Sequence, residues 1–242
     1  MRLFGLIGNP LGHSFSRQYF REKFERESLR DHDYENYPLA TIEELPALIA
    51  EHPFLEGLNV TIPYKRSVLP YLDDLSNLPI EACNCIRIRN GKLTGFNTDV
   101  IGFEKSLQPL LKPHHKKALV LGNGGATMAV AYVLGQKGIA YRVVSRQKHT
   151  GSDLEYGELT EQIMREHTIL INTTPLGMAP NTEACPAIPY GCTGPEHLYF
   201  DLIYNPAMTV FLKKGKDQGA VTRNGEEMLI IQAEESWRIW NQ

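Results

Sequence analysis

ALVLGNGGATMAVAYVLGQKG, residues 118–138, carries three signals in a row. Ala118 to Leu121 is a short, wholly apolar run of the kind that fills a strand buried on both faces of a sheet. Gly122-Asn123-Gly124-Gly125-Ala126 follows, and from about Gly125 the pattern becomes helical. Strand, glycine turn and helix, in that order, are the building unit of open α/β sheets. A bound phosphate needs close approach of the backbone and exposed helix N–H groups, and glycines permit both. The spacing is GxGGA with Ala129 a few residues on, not a strict GxGxxG, so it says little alone. Its setting favours nucleotide binding over a merely structural turn.

Outward from this stretch, apolar runs alternate with helical patterns along the 242 residues, with no internal repeat or low-complexity tract. That alternation predicts an α/β fold. Upstream, strands are expected at 2–8, 33–39 and 57–62, and a hairpin at 85–89 and 92–96 around Asn90-Gly91. Helices are expected at 16–28 with Ser16 as candidate N-cap, at 41–51 with Thr41 and Glu44 as a capping box, and at 98–110. The polar KPHHKK at 112–117 has the composition of a linker. Downstream, strands are expected at 141–146, 168–173 and 198–203, and helices at 206–217 and 225–240. The polar 147–157 region reads as a mobile loop.

Net charge is −3, from 25 basic and 28 acidic residues. No basic surplus argues for nucleic acid. No apolar run approaches the roughly 20 residues that span a bilayer. MRLFGLIGNPLG at 1–12 lacks the long apolar core and cleavage site of a signal peptide and reads as a first strand. The four cysteines are Cys83, Cys85, Cys185 and Cys192. No C-x-x-C pair or H-x-x-x-H cluster supports a metal, so buried thiols and a reducing, cytoplasmic setting are expected.

The end of the strand after the glycine turn bears on the nucleotide. An NAD site usually places Asp or Glu there to accept from the ribose 2′-hydroxyl. This chain has Ser145-Arg146-Gln147-Lys148. A guanidinium can stack on adenine and hold a 2′-phosphate, which favours NADP; the alternative is a pair of ordinary solvated loop charges. In the first half, Ser14 and Ser16 suit a carboxylate near helix N–H groups, or simply cap the helix. Asn59, Thr61 and Lys65 cluster near one strand end, and Asn97-Thr98-Asp99 follows another. Ligands of open α/β sheets bind beyond the carboxyl ends of strands. By spacing alone, Lys65 is more readily a solvated strand-end charge, and Asp99 is as readily a helix-start residue as a site group.

Together these segments resemble the shikimate dehydrogenase family over almost the whole chain. The motifs are GNPLGHSFS (8–16), NVTIPYK (59–65), ACNCI (82–86), GFNTDVIG (95–102), LGNGGA (121–126), SR (145–146), NTTPLGM (172–178), DLIYNP (201–206) and GEEMLIIQA (225–233). The resemblance implies two α/β domains with a cleft between them. Residues 1–98, completed by the helix at 225–242, would bind substrate, and 99–224 would form a Rossmann-like NADP domain. It implies reversible hydride transfer between NADPH and 3-dehydroshikimate, within chorismate and aromatic amino-acid biosynthesis, by a monomer or homodimer.

Carried over position by position, Ser14 and Ser16 would hold the substrate carboxylate with Tyr204 assisting. Asn59, Thr61, Asn84, Asp99 and Gln232 would hold ring hydroxyls, and Lys65 with Asp99 would form the catalytic pair. Gly122, Gly124, Gly125 and Ala126 would cradle the pyrophosphate, with Ser145 and Arg146 on the adenosine side. Thr174, Leu176, Gly177, Met178 and Met228 would line the nicotinamide side. The chain departs from the family pattern at Arg17, at Cys85 beside Asn84, at Ser145, and at Glu226 and Glu227, which are expected to face solvent from a helix start.

The residue types suit the chemistry. Hydride arriving at a carbonyl carbon leaves negative charge on oxygen, which an adjacent ammonium stabilises and protonates. A carboxylate beside that lysine favours its charged form. A member acting on quinate or using NAD is the near alternative, which Arg146 disfavours on the cofactor. A non-catalytic shikimate sensor is the distant one, which retention of both Lys65 and Asp99 disfavours.

Overall fold

The computed structural model describes residues 1–12, 15–147 and 151–242. The chain packs as two compact units, one of Met1–Thr98 with Gln232–Gln242, the other of Asp99–Ile231.

The first unit runs β1 (Arg2–Gly8), α1 (Phe15–Arg26), β2 (His32–Pro38), α2 (Leu45–Glu51), β3 (Leu55–Val60), β4 (Cys85–Arg89) and β5 (Lys92–Phe96). Its sheet has the order β2-β1-β3-β4-β5. β1 lies parallel to β2 and β3, and the β4–β5 hairpin runs antiparallel. Asn90 and Gly91 both have positive φ, 52° and 75°, as a two-residue hairpin turn of this hand requires. The Thr41–Glu44 capping box is formed, and a 3₁₀ turn at Ile42–Glu44 leads into α2. One face of the sheet buries Ile7, Leu45, Leu58 and Ile86. The other buries Phe4, Phe20, Tyr34 and Trp240. The Trp240 indole stacks on Phe4 with centroids 4.8 Å apart, and its N–H donates to the Ile86 carbonyl at 3.0 Å.

The second unit follows with α3 (Thr98–Leu107), β6 (Lys117–Leu121), α4 (Gly125–Gln136), β7 (Ala140–Ser145), β8 (Leu154–Glu155), α5 (Glu161–Glu166), β9 (Ile169–Asn172), β10 (Leu198–Asp201), α6 (Val210–Asp217), β11 (Val221–Arg223) and the start of α7 (Glu226–Trp240), whose remainder from Gln232 belongs to the first unit. Its strands are all parallel, in the order β11-β10-β9-β6-β7-β8. Leu119, Leu121, Leu170, Tyr199 and Phe211 are buried together in its core. The path leaves β6 for β7 on one side and returns to β9 on the other. The strand order therefore reverses at β6, and such a reversal opens a crevice at the carboxyl ends of the strands.

Several expectations change. α1 begins at Phe15, so Ser16 lies inside its first turn and is not its N-cap. β3 stops at Val60, ahead of the Thr61–Tyr64 turn closed by the Tyr64 N–H on the Thr61 carbonyl. KPHHKK is no linker: ring nitrogens of His114 and His115 both meet the Glu196 carbonyl, at 3.0 and 3.2 Å, within the second unit. Residues 151–157 are no free loop either. They include edge strand β8, and the Asp153 carboxylate accepts from the Val143 N–H at 2.7 Å. β8, α5 and β11 escaped the sequence reading because two, six and three residues are too few to show a period.

Candidate functional site

Two polar constellations stand at strand ends, one in each unit. In the second, the glycine turn caps β6. Gly122 has φ +113°, and a Cβ there would sit 2.8 Å from the Thr173 hydroxyl. Its N–H donates to the Val144 carbonyl at 2.8 Å, and its carbonyl accepts from the Thr127 hydroxyl at 3.0 Å. Gly124 is the N-cap of α4 and Gly125 its first residue. A Cβ added at either meets nothing within 4 Å, so the space before the helix N-terminus is open. Those first N–H groups have no partner inside the helix, and the helix dipole favours an anion there.

That opening is part of a cavity of about 740 Å³, walled by Gly122 to Gly124, Ser145 to Gln147, Tyr156 and Thr173 to Leu176. The Ser145 hydroxyl donates to the Gln147 carbonyl at 2.6 Å, which holds the turn after β7, and Arg146 is exposed on it. Tyr156 was not foreseen as a site residue. Burial pushes its phenol up to about 12, with the Arg146 charge acting in the opposite sense. Its hydroxyl is buried without a hydrogen-bond partner among the described residues. The cavity thus offers glycine backbone and a helix N-terminus to a diphosphate and a guanidinium to a further phosphate. Those are the groups that NADP presents, so the residues fit that cofactor.

The remaining wall follows β9. Asn172 is fully buried, and its Oδ1 accepts from the Thr174 N–H at 3.0 Å and the Thr174 hydroxyl at 2.6 Å. Its Nδ2 donates to the Leu176 carbonyl at 3.3 Å, and the Leu176 N–H donates to Thr174 Oγ1 at 3.2 Å. Gly177 is buried with φ +105°, and Met178 is 48% exposed just after it. Tyr204 is half-buried beyond β10, and Met228 is buried near the start of α7. Glu226 is exposed, and Glu227 pairs with Arg223 at 3.0 Å, so both acids are placed as helix-start residues.

In the first unit, β3, β4 and β5 bring their polar residues to one end of the sheet. Asn59 is buried, and its carboxamide is taken up by protein. Oδ1 accepts from the Tyr34 hydroxyl at 2.9 Å, and Nδ2 donates to Ser236 Oγ at 2.9 Å and the Asn84 carbonyl at 3.3 Å. Burial raises the Tyr34 phenol well above its ordinary value, and the Ser16 hydroxyl is hydrogen-bonded to it. Asn84 Oδ1 accepts from the Thr98 N–H at 2.6 Å, and Nδ2 donates to Thr98 Oγ1 at 3.0 Å. The Thr98 hydroxyl reaches Gln232 Oε1 at 3.4 Å. The Lys65 carbonyl accepts from the Cys83 N–H at 2.7 Å, which ties the segment carrying the lysine beside Asn84. Thr61 and Lys65 are half-buried; Asp99, which opens the second unit in the first turn of α3, is half-buried too. Ser14 and Lys148 lie outside the described residues.

The expectation of buried thiols holds for Cys83 and Cys85 only: Cys185 and Cys192 are half-buried, and none of the four forms a disulfide. Burial drives the Cys85 thiol far up, so it stays a neutral core group. Arg17 forms an ion pair with Glu35 at 2.8 Å. No helix among the described residues is long and apolar enough to cross a membrane.

Comparison with known proteins adds to this geometry. Residues 6–86 match the family model described as the shikimate dehydrogenase substrate binding domain. A shikimate dehydrogenase (NADP(+)) of Carboxydothermus hydrogenoformans is 38% identical over 258 residues, covering 99% of this chain and 91% of the relative. The crystal structure of shikimate 5-dehydrogenase from Thermus thermophilus in complex with NADP(H) and shikimate superposes with a TM-score of 0.86. It has 31% identity and covers 99% of this chain and 93% of that one. The ligand-free 5-ketofructose reductase of a Gluconobacter strain also superposes, with a TM-score of 0.84 and 30% identity, covering 99% and 92%.

Proposed function

The chain belongs to the shikimate dehydrogenase family, and on that premise we propose that it catalyses the reversible NADP-dependent reduction of 3-dehydroshikimate to shikimate, a step toward chorismate and the aromatic amino acids. The observation that carries this reading is the cavity at the strand-order reversal. It joins an open glycine turn to Arg146, at a place where an NAD site would have an acid.

Gly122, Gly124, Gly125 and Ala126 hold the diphosphate against the N-terminus of α4. Arg146 reads the 2′-phosphate. Thr174, Leu176, Gly177, Met178 and Met228 serve the nicotinamide end. When bound, NADPH supplies the hydride, and the protein supplies alignment and the proton. We assign Lys65 as the group that donates a proton to the carbonyl oxygen as charge develops there. Asp99 is the other member of the assigned catalytic pair, the carboxylate that orients this amine. Ser14 and Ser16 take the substrate carboxylate, and Thr61, Asn84 and Gln232 take ring hydroxyls; the motif match adds Asp99 and Tyr204. Asn59, whose amide is taken up by protein, holds Asn84 and Ser236 in place.

The test is absorbance at the nicotinamide band with folded protein, NADP and shikimate. Turnover is expected. Absence of turnover with both NADP and NAD would sink the assignment, and turnover on quinate but not shikimate would move it to the neighbouring substrate.

A further inference from the structure

Asp201 ends β10 fully buried, with no role in the chemistry above. Both oxygens of its carboxylate are nonetheless hydrogen-bonded. Oδ1 accepts from Asn172 Nδ2 at 3.0 Å and from the Ile203 N–H at 3.0 Å, and Oδ2 accepts from the Thr209 hydroxyl at 2.6 Å. An ionised carboxylate only accepts, so the Asn172 amide must turn its NH₂ end toward it. The Asn172 oxygen is then left facing the cofactor wall, where it accepts both the N–H and the hydroxyl of Thr174. The same NH₂ group reaches the Leu176 carbonyl. Were the amide reversed, two donors would face the Thr174 N–H, and that segment would lose its anchor.

We propose that Asp201 is a positioning residue for the cofactor: by fixing the orientation of the Asn172 amide, it holds Thr174 and Leu176 in the shape that receives the nicotinamide end. The inference rests on reading the cavity as the NADP site. Burial pushes the Asp201 carboxyl up to about 6, against the opposing effect of its hydrogen bonds from Thr209, Ile203 and Asn172. Keeping an ionised group there works against stability, which a role in shaping the wall would explain.

The experiment is calorimetric titration of NADP without substrate, paired with KM values for NADP and for shikimate. Asp201→Ala is expected to weaken NADP about tenfold or more, as small misplacements of binding groups do. Its shikimate KM should stay within about twofold, since a cofactor-wall change leaves the other ligand's contacts alone. Asp201→Asn keeps an oxygen toward Asn172 and should bind NADP within about threefold of the parent. If Asp201→Ala fails to fold, Asp201→Leu, which keeps the branched shape and the number of side-chain heavy atoms, takes its place. Parent-like NADP affinity in the Ala or Leu variant overturns the proposal while leaving the cofactor reading intact. So does equal loss of NADP and shikimate, which marks a merely structural role. A parent protein that binds no NADP removes the cofactor reading and this inference with it.

Discussion

Lys65 shows how far a single residue can be read. Spacing left it a solvated charge after a strand, and only the accompanying motifs support the proton-donor role we propose for it. Replacing it with alanine should cut kcat by about 10²-fold or more through lost proton donation, read from initial rates at saturating shikimate. An unchanged kcat would remove it from the mechanism. Arg146 is exposed on the cavity wall, as a residue reading a phosphate must be. Arg146→Ala should therefore raise the NADP Kd by about tenfold or more and leave NAD nearly unaffected, because a lost charge-assisted bond matters only where the phosphate exists. Equal losses for both cofactors would contradict this. Asn59 marks the limit of residue-level reading. Its type suits a sugar-like hydroxyl, yet the fold spends its amide on Tyr34, Asn84 and Ser236. Those partners come from three distant segments, so no local pattern could have revealed them.

Among the elements, those with long or unmistakable signals were legible. The glycine turn into α4 lies where the sequence put it, and Asn90-Gly91 closes the expected hairpin. β8 and β11 were not legible, because each is held by its neighbour in the sheet rather than by its own pattern. The C-terminal end of α7 depends on a feature of another element. Gly57 in β3 leaves room for the Trp240 indole, and any Cβ there would collide with the ring. Gly57→Ala should destabilise the protein by about 1–3 kcal/mol through overpacking. The denaturant midpoint measures it, and an unchanged midpoint would mean that Trp240 repacks freely.

At the scale of the whole molecule, the buried Asp201 couples folding to pH. Its folded value, about 6, lies above the ordinary value of 3.8, so the folded chain holds this proton more tightly than the unfolded one. The contribution to stability is therefore highest below pH 4 and is lost as pH rises through about 6. A carboxyl raised that far corresponds to about 3 kcal/mol, so Asp201→Asn should gain up to that much on the parent between about pH 4 and pH 7. Unfolding curves at both pH values test this, and the hydrogen bond lost in the variant cancels in the comparison. A constant difference between variant and parent would show that Asp201 does not titrate in this range. The sequence by itself determined the α/β class, the order of most strands and helices, the glycine turn, and the ordered motifs that place the chain in its family. Those depend on periodicity and turn chemistry, which act over a few residues. Only the tertiary structure decided that Asp201 backs Asn172, that Asn59 is engaged by protein, that KPHHKK packs against Glu196, and that the reversal at β6 opens a cavity beside Arg146. Each is a meeting of residues far apart in the chain, set by strand register and burial, and no local pattern encodes such a meeting.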